Sequence, residues 1–111
     1  MGLTIERTDV PKGLRLEGEL DIATAPALDE AVRRVTETPG PLTIDVCSLD
    51  FIDSTALLVF WKAARDLGPH GGLTVVGPRG RVKTVFALTG FERAPGVTIV
   101  DAPNAAEPTP E

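Results

Sequence analysis

The sequence predicts a single α/β domain on a mixed, mainly parallel sheet, with an N-terminal hairpin and crossover helices, in the order β-β-α-β-α-β-α-β. Three observations predict it. Segments with an apolar residue at every second position alternate with segments whose apolar residues recur every three or four. Two of the alternating segments stand together at the start, separated by turn residues, as in a hairpin. Beyond them strand and helix patterns take turns, which brings successive strands parallel with helices crossing between them.

Leu3 and Ile5 alternate with Thr4 and Glu6 and make the first strand. Val10-Pro11-Lys12-Gly13 is turn chemistry: proline fixes φ and glycine permits positive φ. Leu14, Leu16 and Leu20 alternate with Arg15, Glu17 and Glu19 in the second strand. Thr24 then stands where a helix N-cap should, with Pro26 in the first turn, where a missing N–H costs nothing. Leu28, Ala31, Val32 and Val35 form the apolar stripe of that helix, and Pro39-Gly40-Pro41 stops it. Leu42, Ile44 and Val46 make the third strand, and Cys47 to Ile52 reads as a linking segment. Asp53-Ser54-Thr55 opens a second helix that runs to about Leu67, ahead of Gly68-Pro69. Leu73 to Val76 is the fourth strand, and Gly77-Pro78-Arg79-Gly80 a loop. Val82, Val85, Phe86 and Leu88 make a third helical stripe, with Gly90 placed to hold positive φ at its C-terminus and apolar Phe91 beyond it. Val97, Ile99 and Val100 are the last strand. The domain is expected over residues 1–101, and residues 102–111, rich in Pro, Ala and Glu, as a disordered tail.

Charge and cysteine content narrow the function. The formal net charge of −5 opposes direct contact with nucleic acid or an anionic membrane. A single cysteine cannot form an intrachain disulfide, and no apolar run resembles a leader or a membrane span, so a cytoplasmic protein is expected. The one histidine, His70, lies in a glycine-rich loop, and a metal cage would need several Cys and His ligands. Asp21, Asp53 and Ser54 are the residues an enzyme would use, but they stand without a base, a metal or a phosphate-binding loop, so no catalysis and no cofactor are expected.

The segment with most to say is Leu49-Asp50-Phe51-Ile52-Asp53-Ser54-Thr55-Ala56-Leu57. A hydroxyl or carboxylate at a helix start is ordinarily a cap. The same place suits a phosphate, because unpaired N–H groups and the helix dipole both favour an anion.

The stretch VCSLDFIDSTALLVFWKAARD, Val46 to Asp66, resembles the signature of the STAS domain family, anti-sigma-factor antagonist type. Gly18-Glu19-Leu20-Asp21 with Ala25-Pro26 is similar to the family's early Gly-Glu-Leu-Asp segment. Arg81-Val82-Lys83-Thr84-Val85-Phe86-Ala87-Leu88-Thr89-Gly90-Phe91 is similar to its Val-x-x-x-Phe-x-Leu-Thr-Gly segment. The resemblance covers Leu3 to Val100 and implies a STAS-like fold. It further implies an antagonist that, unphosphorylated, binds an anti-sigma factor with serine kinase activity and frees sigma. Phosphorylation at Ser54 would end that capture, and a serine phosphatase would restore it. Asp53 precedes Ser54 as the family pattern requires, and Asp21 corresponds to the acidic residue near the modified serine, although it also reads as an ordinary pre-helix residue. Thr55 replaces a serine common in relatives. Ala56 replaces a common glycine, and its methyl is expected to stiffen the helix start and narrow access of a kinase. That keeps an alternative open: an unphosphorylated STAS subunit with a structural role in a signalling scaffold or lipid-transport complex.

Helical phase assigns the rest. At about 100° per residue, Leu57, Phe60, Trp61, Ala64 and Leu67 share the face expected to pack on the sheet. Leu58 lies one turn beyond Ser54, beside Thr55 and Lys62, as an exposed apolar residue suited to a partner. The partner-binding set is therefore Asp21, Asp53, Ser54, Thr55 and Leu58.

Overall fold

Alternation of leucine with charged residues makes β1 (Leu3–Asp9) and β2 (Lys12–Leu20) an antiparallel hairpin, joined through Val10-Pro11, with Asp9 opposite Lys12. The computed structural model describes residues 2–102, so all of the expected tail but Ala102 lies outside the described residues. After the hairpin come α1 (Ala25–Val35), β3 (Leu42–Ile52), α2 (Ser54–Leu67), β4 (Leu73–Val76), α3 (Gly80–Thr89) and β5 (Val97–Val100). The five strands lie in chain order, β1-β2-β3-β4-β5, and every pair after the first is parallel. The predicted fold class and element order hold.

Register explains why the sheet has one dry face. Leu14 pairs with Ile44, and Ile44 with Val75, so these buried side chains line one side. Leu28, Val32 and Val35 of α1, Leu57 and Phe60 of α2, and Val82 and Phe86 of α3 join them in one core. The opposite side carries Glu6, Arg15 and Asp45, with Arg15 bridging the two carboxylates at 3.1 and 3.6 Å. Such alternation is what a sheet with helices on one face and solvent on the other requires.

Four details differ from the sequence reading. Cys47 to Ile52 is the second half of β3 and not a link. Arg15 faces Asp45 but Glu17 faces Ser48, and Gly18 faces Leu49 but Glu19 faces Phe51. Each step inserts one extra residue into β3, a bulge. The buried positions then run Val46, Leu49, Ile52, which hides the period of two. Gly13 belongs to β2 and not to the turn; a Cβ there would collide with the Thr43 carbonyl oxygen of β3, so glycine serves close strand approach. Leu88 is exposed, because Val82 and Phe86, one turn apart, already define the inner line of α3. Thr24 has helical φ and ψ and makes no capping bond to its own helix.

Gly90 ends α3 as expected, at φ 80° and ψ 4°. A side chain there would meet only the mobile tip of Arg93, so the cost of substitution is conformational. Gly90→Val should destabilise the domain by about 1–2 kcal/mol, and Gly90→Asn by less, in urea unfolding. An unchanged midpoint for the valine variant would contradict this account of the helix end.

Candidate functional site

The site forms where β2 and β3 end side by side. The Asp53 N–H donates to the Leu20 carbonyl at 3.1 Å, so the turn after β2 and the start of α2 are fixed to each other. Asp53 has extended backbone angles, and its Oδ1 accepts from the Ala56 N–H at 2.9 Å. That is the N-cap bond. Ser54 is therefore the first residue inside the helix, and its hydroxyl is exposed and outside the capping bond. Thr55 is exposed beside it, and Ala56 is fully buried, its methyl turned to the core.

Asp21 organises the neighbouring turn. Its Oδ1 accepts from the N–H groups of Ala23 at 2.9 Å and Thr24 at 3.1 Å. Thr24 Oγ1 in turn accepts from the Asp21 N–H at 2.9 Å and lies 3.1 Å from the Glu19 carbonyl. The aspartate thus does the pre-helix capping that the sequence reading gave to Thr24. Between Asp21 and Ala23 this turn holds Ile22 with 71% of its surface exposed. Ile22 was missed in the sequence, where one apolar residue in a turn carries no period. The available signal was its place between an Asx-turn aspartate and a helix start.

On α2, Leu57 is 5% exposed and Leu58 66%, as helical phase requires. Trp61 departs from its expected place in the core. It sits half-buried at the flank of α2, edge-on to Phe91 at 5.5 Å between ring centroids. Phe60 and Phe91, fully buried and 5.9 Å apart, fill the space under the helix instead.

The outer half of β3 runs past the end of β4, and Arg79 covers its open edge. Arg79 Nε donates to the Cys47 carbonyl at 2.6 Å, and its guanidinium pairs with Asp50 at 3.2 Å. Burial first, then Asp45, pushes the Cys47 thiol up to about 11. The native thiol thus carries far less thiolate at neutral pH than an ordinary thiol. Iodoacetamide should therefore label native Cys47 slowly at pH 7.5 and much faster in urea. Equal rates in both states would contradict the burial argument. Among the described residues no three His, Cys, Asp or Glu side chains cluster as metal ligands, and no helix is long and apolar enough to cross a membrane.

The arrangement offers an exposed hydroxyl at a helix N-terminus, next to the capping Asp53 and one turn before the exposed Leu58. It suits recognition and modification. Comparison with known proteins agrees in fold. An anti-sigma factor antagonist from Mycobacterium paratuberculosis superposes with a TM-score of 0.80 at 27% identity, over 95% of this chain and 91% of that one. A candidate anti-sigma factor antagonist from Thermotoga maritima shares the fold at 20% identity, with a TM-score of 0.69 over 94% and 90% of the two chains. In sequence, the anti-sigma-F factor antagonist RsfB of Mycobacterium tuberculosis is 28% identical over 81 residues, which is 72% of this chain and 66% of the relative's own length. The family model described as Mlab, STAS domain, matches residues 3–101, nearly all that the structure describes, and the chain belongs to the STAS domain family.

Proposed function

We propose that the chain is a non-catalytic anti-sigma-factor antagonist, which captures an anti-sigma factor of the serine-kinase type when unphosphorylated and is released by phosphorylation at Ser54. The observation that carries this reading is the division of labour at the start of α2. Asp53 caps the helix, and Ser54 presents an exposed hydroxyl one turn before the exposed Leu58, while the bond from Asp53 N–H to the Leu20 carbonyl ties in the turn that carries exposed Ile22. Apolar side chains on a surface are suited to burial against a partner. A phosphate adds up to two negative charges, close to the carboxylate of Asp53. Burying that charge near Leu58 against a partner is costly. Capture and modification then exclude each other. A serine phosphatase would reset the switch, in the cytoplasm where sigma factors act. The names of the two mycobacterial relatives support the antagonist part of this reading.

The alternative, an unphosphorylated STAS subunit of a larger assembly, drew its support from Ala56. With that methyl buried, the outer side of the helix start is open around Ser54 and Thr55. Titration calorimetry with the purified anti-sigma factor tests the proposal. Ser54→Ala should bind like wild type, and Ser54→Asp should bind on the order of tenfold or more weaker. Equal affinity for both variants would favour the structural subunit.

A further inference from the structure

Ser54, Leu58, Trp61 and Arg65 lie along one side of α2 at spacings of four, three and four, with half-buried Trp61 among three exposed residues. Past Leu58 this side opens into a groove of about 410 Å³ between α2 and the turn that leads into β5. The apolar Leu58, Trp61, Ala64, Ala94 and Pro95 line it together with the cations Lys62 and Arg65, whose long side chains are exposed. No carboxylate is among its described lining residues. The two cations are weakly satisfied. Lys62 lies 3.9 Å from Asp29, a carboxylate that Arg33 holds at 3.1 Å. Arg65 reaches only its neighbour Asp66, at 3.4 Å, with both side chains more than half exposed. Exposed pairs of this kind contribute little. On a chain of net charge −5, this is an apolar trough with local positive charge.

We propose that this groove is a second contact for the anti-sigma factor, and that it receives a segment of that partner bearing an apolar side chain next to a carboxylate. The inference rests on the reading of α2 as the partner-facing helix. It adds what the Ser54 end does not supply. Ile22, Ser54 and Leu58 offer an apolar contact that any greasy surface satisfies, whereas the groove selects by charge and sets the direction in which the partner lies along α2. Charge at such a contact acts on partner choice and association rate.

Trp61 is the sole tryptophan of the chain, so it reports on the groove directly. The chain would be made with 5-fluorotryptophan and titrated with the unlabelled, purified anti-sigma factor, complex formation being followed separately by calorimetry. The single fluorine resonance should shift as the complex forms. Arg65→Glu should weaken binding on the order of tenfold, with a reduced salt dependence, while Arg65→Lys binds like wild type. A saturated complex with an unmoved resonance, or Arg65→Glu binding at full strength, overturns the groove and leaves the Ser54 proposal standing. Absence of any complex in calorimetry would sink both. A resonance that shifts with the chain's own concentration, without partner, would mean that a second copy fills the groove, and that also overturns the proposal.

Discussion

Leu57→Glu is expected to leave no folded domain, whereas Leu58→Glu should melt close to wild type and lose about thirtyfold in affinity for the anti-sigma factor. The two leucines are adjacent, yet α2 turns the first into the core and the second out to solvent. At position 57 a carboxylate would sit among buried apolar side chains with no cation to pair it, a cost of several kcal/mol that is comparable to the whole stability of a small domain. At position 58 the carboxylate stays in water in the free protein. Its cost arises only when a partner covers it, and an interface anchor is commonly worth about 2 kcal/mol or more. One melt and one titration per variant decide the matter. Unfolding by Leu58→Glu would place that side chain in the core, and normal binding by a folded Leu58→Glu would move the interface off α2.

Phe91→Ala should be the most damaging single truncation outside α2 itself. Phe91 is fully buried and is the hub of an aromatic cluster, 5.0 Å from Phe86, 5.9 Å from Phe60 and 5.5 Å from Trp61 between ring centroids. Removing a ring from such a place costs about 3–5 kcal/mol, counting both lost transfer energy and the cavity left behind. For a domain of about this length that lowers the melting temperature by on the order of 15 °C or more. Because Phe91 underpins both Phe60 and Trp61, Trp61 emission should move to the red in the folded variant as its edge contact is lost. A shift in melting of only a few degrees would show that the cluster closes over the gap.

The parts of this protein that could be read from its sequence are those where one period governs a whole element. Leu14, Leu16 and Leu20 are buried along β2, and Leu28, Val32 and Val35 along α1, as their spacing required. The outer half of β3 escaped because two bulges turn a period of two into the run Val46, Leu49, Ile52, and no local residue type announces a bulge. Trp61 was misplaced because helical phase places a direction and not a neighbour. Phe91 arrives from another segment, fills the core under α2 and leaves the indole at the edge. At the candidate site, Asp53, Ser54 and Leu58 were legible from cap chemistry and phase. Ile22 was not, since its turn is tied to the start of α2 only in three dimensions, by the pairing of Leu20 with Ile52 and the hydrogen bond from Asp53 to Leu20. Arg79 was read as a loop residue, because its partners Cys47 and Asp50 lie far away in the chain.

The central claim is that one phosphate on Ser54 switches capture off. The most direct test is to incubate the chain with the purified anti-sigma kinase and ATP, locate the phosphate by tandem mass spectrometry, and titrate the modified protein against the same partner. The account predicts a single phosphate on Ser54 and an affinity lower by on the order of a hundredfold than that of the unmodified chain. A phosphate on Thr55 or Ser48, or a Ser54 phosphoprotein that still binds at full strength, would contradict it.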